Sequence, residues 1–115
     1  MKNICVLVSG GGTNLQSLID AVENGEIRGA RIAGVISSKE GVYALGRAQK
    51  HGIPSRIIAR KAYESKQAFD QAILDALKAF RADFVVLAGY LAILGENIIQ
   101  AYPNRIINIH PSLLP

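Results

Sequence analysis

The chain has 115 residues, half of them apolar and 19% charged, with few aromatics and no Trp, which excludes the disordered and fibrous classes and calls for a packed core. Thirteen Lys and Arg against nine Asp and Glu give a formal charge of +4, yet the cations are scattered from Lys2 to Arg105 with no run longer than Arg60-Lys61. That spread favours small anionic ligands and disfavours nucleic acid, whose binders cluster basic residues with stacking aromatics.

In chain order, Ile4 to Val8 reads as a buried strand, too short for a signal-peptide core or a membrane span. Cys5 within it is the only cysteine. It is expected as a small core residue, and its solitude fits a reducing, cytoplasmic setting. Leu15, Leu18, Ile19 and Val22 follow at helical spacing until Asn24-Gly25 stops them. A second strand is expected between Arg31 and Ile36. Val42, Leu45 and Ala48 then predict a helix ending at His51-Gly52, and Pro54 turns the chain into a short strand around Arg56 to Ile58. Phe69, Ala72, Ile73, Ala76, Leu77 and Phe80 mark the clearest helix, with Ser65 as its cap. Phe84 to Ala88 is a strand without alternation, hence buried on both faces. Leu94, Ile98 and Ala101 make a short helix ended by Pro103, and Arg105 to His110 is the fifth strand.

Strands alternating with helices give a parallel sheet with right-handed crossovers. The expected architecture is α/β: one domain over residues 1–115 with a Rossmann-like parallel sheet in order 3-2-1-4-5 and helices on both faces. The ends of the first and fourth strands then lie side by side at the switch point, where ligands bind in such sheets.

Between the first strand and the first helix lies Ser9-Gly10-Gly11-Gly12-Thr13-Asn14. Gly10 and Gly12 fit a dinucleotide fingerprint, but Leu15 occupies the third glycine position and no acidic residue closes the second strand, so NAD is not expected. The Walker pattern is absent as well. Two readings remain: a phosphate held by backbone N–H groups at a helix start, or glycines that serve only a tight turn. Thr13 and Gln16 have the spacing of a capping box.

At the other end, Asn108 and His110 stand two apart on a strand and so face the same way, and Pro111 ends the strand beside them. A neutral amide can donate to the oxyanion of a tetrahedral intermediate while an imidazole moves protons beside it. The pair suits acyl transfer to an external amine, since no Ser or Cys nucleophile with a base is evident. His110 alone could equally be a structural strand residue. No metal is expected, because the only other His, His51, sits at a presumed helix end without ligand spacing to His110.

Ser9 to Asn14, Val85-Val86-Leu87-Ala88-Gly89-Tyr90 and Asn108-Ile109-His110-Pro111-Ser112-Leu113-Leu114-Pro115 together resemble the folate-dependent formyltransferases. The last stretch is the family's signature, and the glycine loop directs the resemblance to the glycinamide ribonucleotide formyltransferases of purine biosynthesis rather than to the related methionyl-tRNA formyltransferases or formyltetrahydrofolate hydrolases. The resemblance implies formyl transfer from 10-formyltetrahydrofolate, as cosubstrate, to the amino group of glycinamide ribonucleotide. It implies that Gly12, Thr13 and Asn14 hold the substrate phosphate and that His110 shuttles the proton. Asn108 would polarise the formyl oxygen, and Lys66, Leu91, Ala92, Ile93, Leu94 and Asn108 would meet the folate. The family commonly carries Arg at the positions of Lys66 and Ala92. Patterning alone also allows Leu91 to Leu94 to be a helix start.

Such enzymes continue past Leu-Leu-Pro and supply there a catalytic Asp, which Asp20, Asp70, Asp75 and Asp83 do not replace. The chain is therefore expected to be the amino-terminal part of such an enzyme, completed by a carboxyl-terminal chain or associating with itself through an uncovered last strand. A ribonucleotide-binding fragment without turnover is the alternative. Neither nucleic acid nor a membrane is an expected partner.

Overall fold

Five strands, β1 (Lys2–Val8), β2 (Ala30–Ser37), β3 (Ser55–Ile57), β4 (Phe84–Ala88) and β5 (Ile106–Ile109), form one sheet in the order β3-β2-β1-β4-β5. Every pairing is parallel. The structure, a computed structural model, describes residues 1–10 and 12–109. Helices α1 (Thr13–Glu23), α2 (Tyr43–Lys50), α3 (Lys66–Ala79) and α4 (Glu96–Ala101) make the crossovers, with a 3₁₀ turn at Arg60–Ala62 ahead of α3.

The central strand explains why both faces carry helices. Cys5, Val6, Leu7 and Val8 are completely buried, and because alternate side chains leave a strand on opposite faces they divide between two cores. Ile4, Val6 and Val8 pack with Leu15 and Ile19 of α1 and Ala44 and Ala48 of α2. Cys5 and Leu7 pack with Phe69, Ile73 and Leu77 of α3 and Ile98 of α4. Burial pushes the Cys5 thiol up to about 12, so it is an inert core group.

The expected elements are present, and the boundaries that differ have local causes. Ser65 caps α3 as expected, its Oγ accepting from Ala68 N at 3.1 Å. The last helix begins at Glu96, with Gly95 as its cap residue, rather than at Leu94. β5 starts at Ile106 rather than at Arg105, whose carbonyl nevertheless accepts from Val85 N at 2.9 Å. β2 carries an irregularity that no periodicity signals: Ile4 pairs with Ile32 but Cys5 with Gly34. Gly34 is required there, since a Cβ would come within 2.5 Å of the Phe80 ring, which also lies 5.4 Å from the Arg56 guanidinium. At the opposite edge Ile106 packs towards α3 and α4 and Ile109 towards α1 and α2, while Ile107 is half exposed. Among the described residues β5 pairs with β4 alone.

Candidate active site at the carboxyl edge of the sheet

All carboxyl ends of a parallel sheet open on one edge, and here the chain reverses its direction of winding between β1 and β4, which pair directly. Leu7 is level with Leu87 and Leu87 with Asn108. Asn108 thus stands about 10 Å across the sheet from Leu7, at roughly 4.8 Å per strand. It lies on the face that α3 and α4 cover and its side chain is exposed.

On the β1 side the turn is fixed by Gly12. Its φ of +81° is left-handed, and a Cβ there would lie 2.8 Å from Cα and Cβ of Ala44 in α2. Only glycine satisfies both constraints. Gly12 is also the N-cap of α1, its carbonyl accepting from Gln16 N at 2.8 Å. The capping box expected of Thr13 and Gln16 does not form: Thr13 is already helical and no side chain caps the helix. Gln16 turns sideways instead, donating to Asp20 Oδ1 at 2.9 Å and accepting from Arg47 Nη1 at 3.2 Å. Thr13 is exposed and Asn14 half buried, and among the described residues neither side chain has a hydrogen-bond partner. The first turn of α1 holds no acidic residue. Its amide donors and positive dipole end are thus left for an anion, with the Arg47 stem packed alongside.

Ser9 joins this loop to the next one. Its hydroxyl, almost wholly buried, accepts from Leu91 N at 2.9 Å and lies 2.6 Å from Ser38 Oγ. Three strand ends are therefore tied by one side chain, a role sequence spacing does not signal. After Gly89, at φ +69°, residues Leu91 to Leu94 run without helical structure, which corrects the reading of that segment as a helix start. Ala92 and Leu94 pack inward against the α3/α4 core while Leu91 and Ile93 remain more than three-quarters exposed. The result is an apolar ledge between the glycine loop and Asn108.

Lys66 opens α3 next to this ledge. Its Nζ donates to both Asp70 oxygens, at 3.0 and 2.9 Å, and lies 3.4 Å from the Ile93 carbonyl. Asp70 stands one helical turn beyond Lys66, and that spacing is the sequence signal for such a pair. His51 caps α2 and bonds Glu23 Oε2 through Nδ1 at 2.9 Å. Among the described residues no three His, Cys, Asp or Glu side chains gather as a metal site. His110 lies outside the described residues, as do Gly11 and Pro111 to Pro115.

A doubly wound parallel sheet with a glycine-shaped helix start, an apolar ledge and a polar amide along its switch-point edge defines a ligand-binding α/β domain. The comparisons with known proteins narrow this class: a sequence profile of the formyl transferase family matches residues 2–115, and the chain belongs to that family. It is 48% identical over 115 residues to the phosphoribosylglycinamide formyltransferase of Haemophilus influenzae, covering 100% of this chain and 54% of the relative. It is 45% identical over 112 residues to the trifunctional purine biosynthetic protein adenosine-3 of Bos taurus, covering 97% of this chain and 11% of that protein. The solved structure of glycinamide ribonucleotide transformylase 1 from Symbiobacterium toebii superposes with a TM-score of 0.92 at 45% identity, over 100% of this chain and 54% of the other. The chain spans about half the length of the single-function bacterial relatives it matches.

Proposed function

We propose that this chain carries the ribonucleotide phosphate loop and the Asn108/His110 half of the site of a glycinamide ribonucleotide formyltransferase, working with 10-formyltetrahydrofolate in the cytoplasm and without a metal. The observation that carries this reading is the arrangement along one sheet edge. An anion-ready helix start lies at β1, an exposed apolar ledge follows β4, and an exposed amide sits on β5, in a chain whose relatives bear that enzyme's name.

Gly12, Thr13 and Asn14 hold the phosphate through the α1 amide donors and two side chains that have no competing partner among the described residues. Leu91 and Ile93 offer apolar surface to the flat ring of the folate, with Ala92 and Leu94 anchoring the ledge from behind and Lys66 at its rim. The substrate amine attacks the formyl carbon, and the developing oxyanion accepts a hydrogen bond from the Asn108 amide. His110 takes the proton the amine loses and returns it to the folate nitrogen as its bond to the formyl carbon breaks. The products are the formylated ribonucleotide and tetrahydrofolate.

A second reading, ribonucleotide binding without turnover, needs only the anion-ready start of α1. Calorimetry with glycinamide ribonucleotide, run beside a formyl-transfer assay of the chain and of His110→Ala, separates the two. Ribonucleotide binding with turnover that His110→Ala abolishes is the result the enzyme reading expects, and binding with no turnover selects the second reading. Turnover that His110→Ala leaves unchanged contradicts the assignment.

A further inference from the structure

The β3 edge of the sheet, opposite the β5 edge that carries Asn108, holds a cavity that formyl transfer does not use. Its volume is about 530 Å³, and its walls are Ser38, Lys39 and Glu40 after β2, Ile57 and Ala59 at the end of β3, and Lys61 of the 3₁₀ turn. That size falls within the roughly 300–1,000 Å³ of small-molecule sites. The place is also one where open α/β sheets take ligands, since two parallel strands end there side by side.

Both walls are braced. The Ser37 hydroxyl, completely buried, donates to the Lys39 carbonyl at 2.6 Å and accepts from the Lys39 amide at 3.1 Å. Ile58 N donates to the Ser37 carbonyl at 2.8 Å and ties the two strand ends together. On the other wall Ala62 N donates to the Ala59 carbonyl at 3.1 Å and closes the 3₁₀ turn. Arg60 is drawn away to the Tyr63 carbonyl at 3.1 Å, so Lys61 is the cation that this turn brings to the cavity. Among the described residues the charged groups of Lys39, Glu40 and Lys61 have no hydrogen-bond or ion-pair partner.

The three groups differ in what they can hold. Two ammonium groups suit a doubly charged phosphate, and a carboxylate accepts from hydroxyls but repels anions. Ile57, 44% exposed, offers apolar surface to a flat ring. In doubly wound sheets an acidic side chain near the end of the second strand meets a ribose. We propose that this cavity binds a nucleoside monophosphate: Lys39 and Lys61 hold its phosphate, Glu40 accepts from its ribose hydroxyls and Ile57 supports its base. Glu40 stands three residues beyond β2 and the glycine loop lacks its third glycine, so a mononucleotide suits the site and a dinucleotide does not. The site is independent of the function proposed above, which places its own phosphate at the start of α1.

Amide shifts mapped by NMR on the protein carrying this sequence test the proposal, with AMP, its dideoxyribose analogue, adenosine and inorganic phosphate as separate probes. AMP is expected to shift the amides of residues 38–40 and 57–62 saturably. The double variant Lys39→Met/Lys61→Met, both at exposed positions, is expected to weaken AMP by about tenfold or more. The dideoxyribose analogue is expected to bind about fivefold more weakly than AMP, a difference that Glu40→Ala removes. Shifts confined to Thr13, Asn14 and their neighbours in α1, or no shifts at all, overturn the proposal. Inorganic phosphate that moves the same amides at the same concentration means an adventitious anion only. Adenosine binding as tightly as AMP contradicts the role of the lysines, and equal affinity for the two sugars contradicts that of Glu40. The map of the unmodified protein decides the location even if a variant fails to fold.

Discussion

Single residues determine whether this edge can work, and their roles differ in how far the sequence announces them. Gly12 is legible as part of a glycine run, but the reason it must be glycine combines a left-handed φ with the approach of Ala44, a residue in another helix. Asn108 is legible from its strand position and type. Ser9 is not: its hydroxyl meets groups 29 and 82 residues away, and no local pattern encodes such a meeting. His110, the other member of the expected pair, lies outside the described residues. Cys5 supplies a pH prediction. Its thiol is pushed up from 9.0 to about 12 by burial, so above pH 9 the unfolded chain releases a proton that the folded chain keeps. The associated stability is complete below the unfolded value and is lost as pH rises towards 12. Urea midpoints are expected to fall over that interval, and less steeply in Cys5→Ala. Tyr90 shares the alkaline trend, since its phenol is raised in the same direction.

At the scale of elements, periodicity carries most of the information. The α3 stripe of Phe69, Ile73 and Leu77 lies fully inside the core, and β4 is buried on both faces because helices cover both. What periodicity misreads is the segment after β4. Leu91 to Leu94 contains apolar residues at every position, so helix start and extended ledge read alike, and the alternation of exposed and packed residues appears only when Ser9 pins the Leu91 amide. The irregularity at Gly34 escapes the sequence for a similar reason, since it depends on Phe80 arriving from the end of α3. Caps are more legible, because a serine before an apolar stripe has a local consequence. Ser65→Ala removes the acceptor for Ala68 N and is expected to cost about 1 kcal/mol in urea denaturation. Because Ser65 directly precedes Lys66, fraying of that first turn should also loosen the Lys66–Asp70 pair, measurable as faster amide exchange at the start of α3.

For the whole molecule, the alternation of strands and helices leads to the sheet order, because right-handed crossovers leave few alternatives once five parallel strands are placed. The order in turn fixes the site: β1, β4 and β5 end side by side, which brings Ser9, Gly12 to Asn14, the segment 89–95 and Asn108 to one edge. Sequence distance along the chain thereby becomes proximity at the switch point, and the charge excess of +4 needs no dedicated basic face to suit anionic substrates there. No helix among the described residues is long and apolar enough to cross a membrane. The central claim is that the Asn108 amide stabilises charge developing on a formyl oxygen while the phosphate is held two strands away. Its most direct test is steady-state formyl transfer from 10-formyltetrahydrofolate to glycinamide ribonucleotide by the protein carrying this sequence, compared with Asn108→Ala. The account predicts a fall in kcat of about 10²- to 10³-fold with the KM for the ribonucleotide nearly unchanged. A variant that keeps its kcat, or that loses only ribonucleotide affinity, would contradict it.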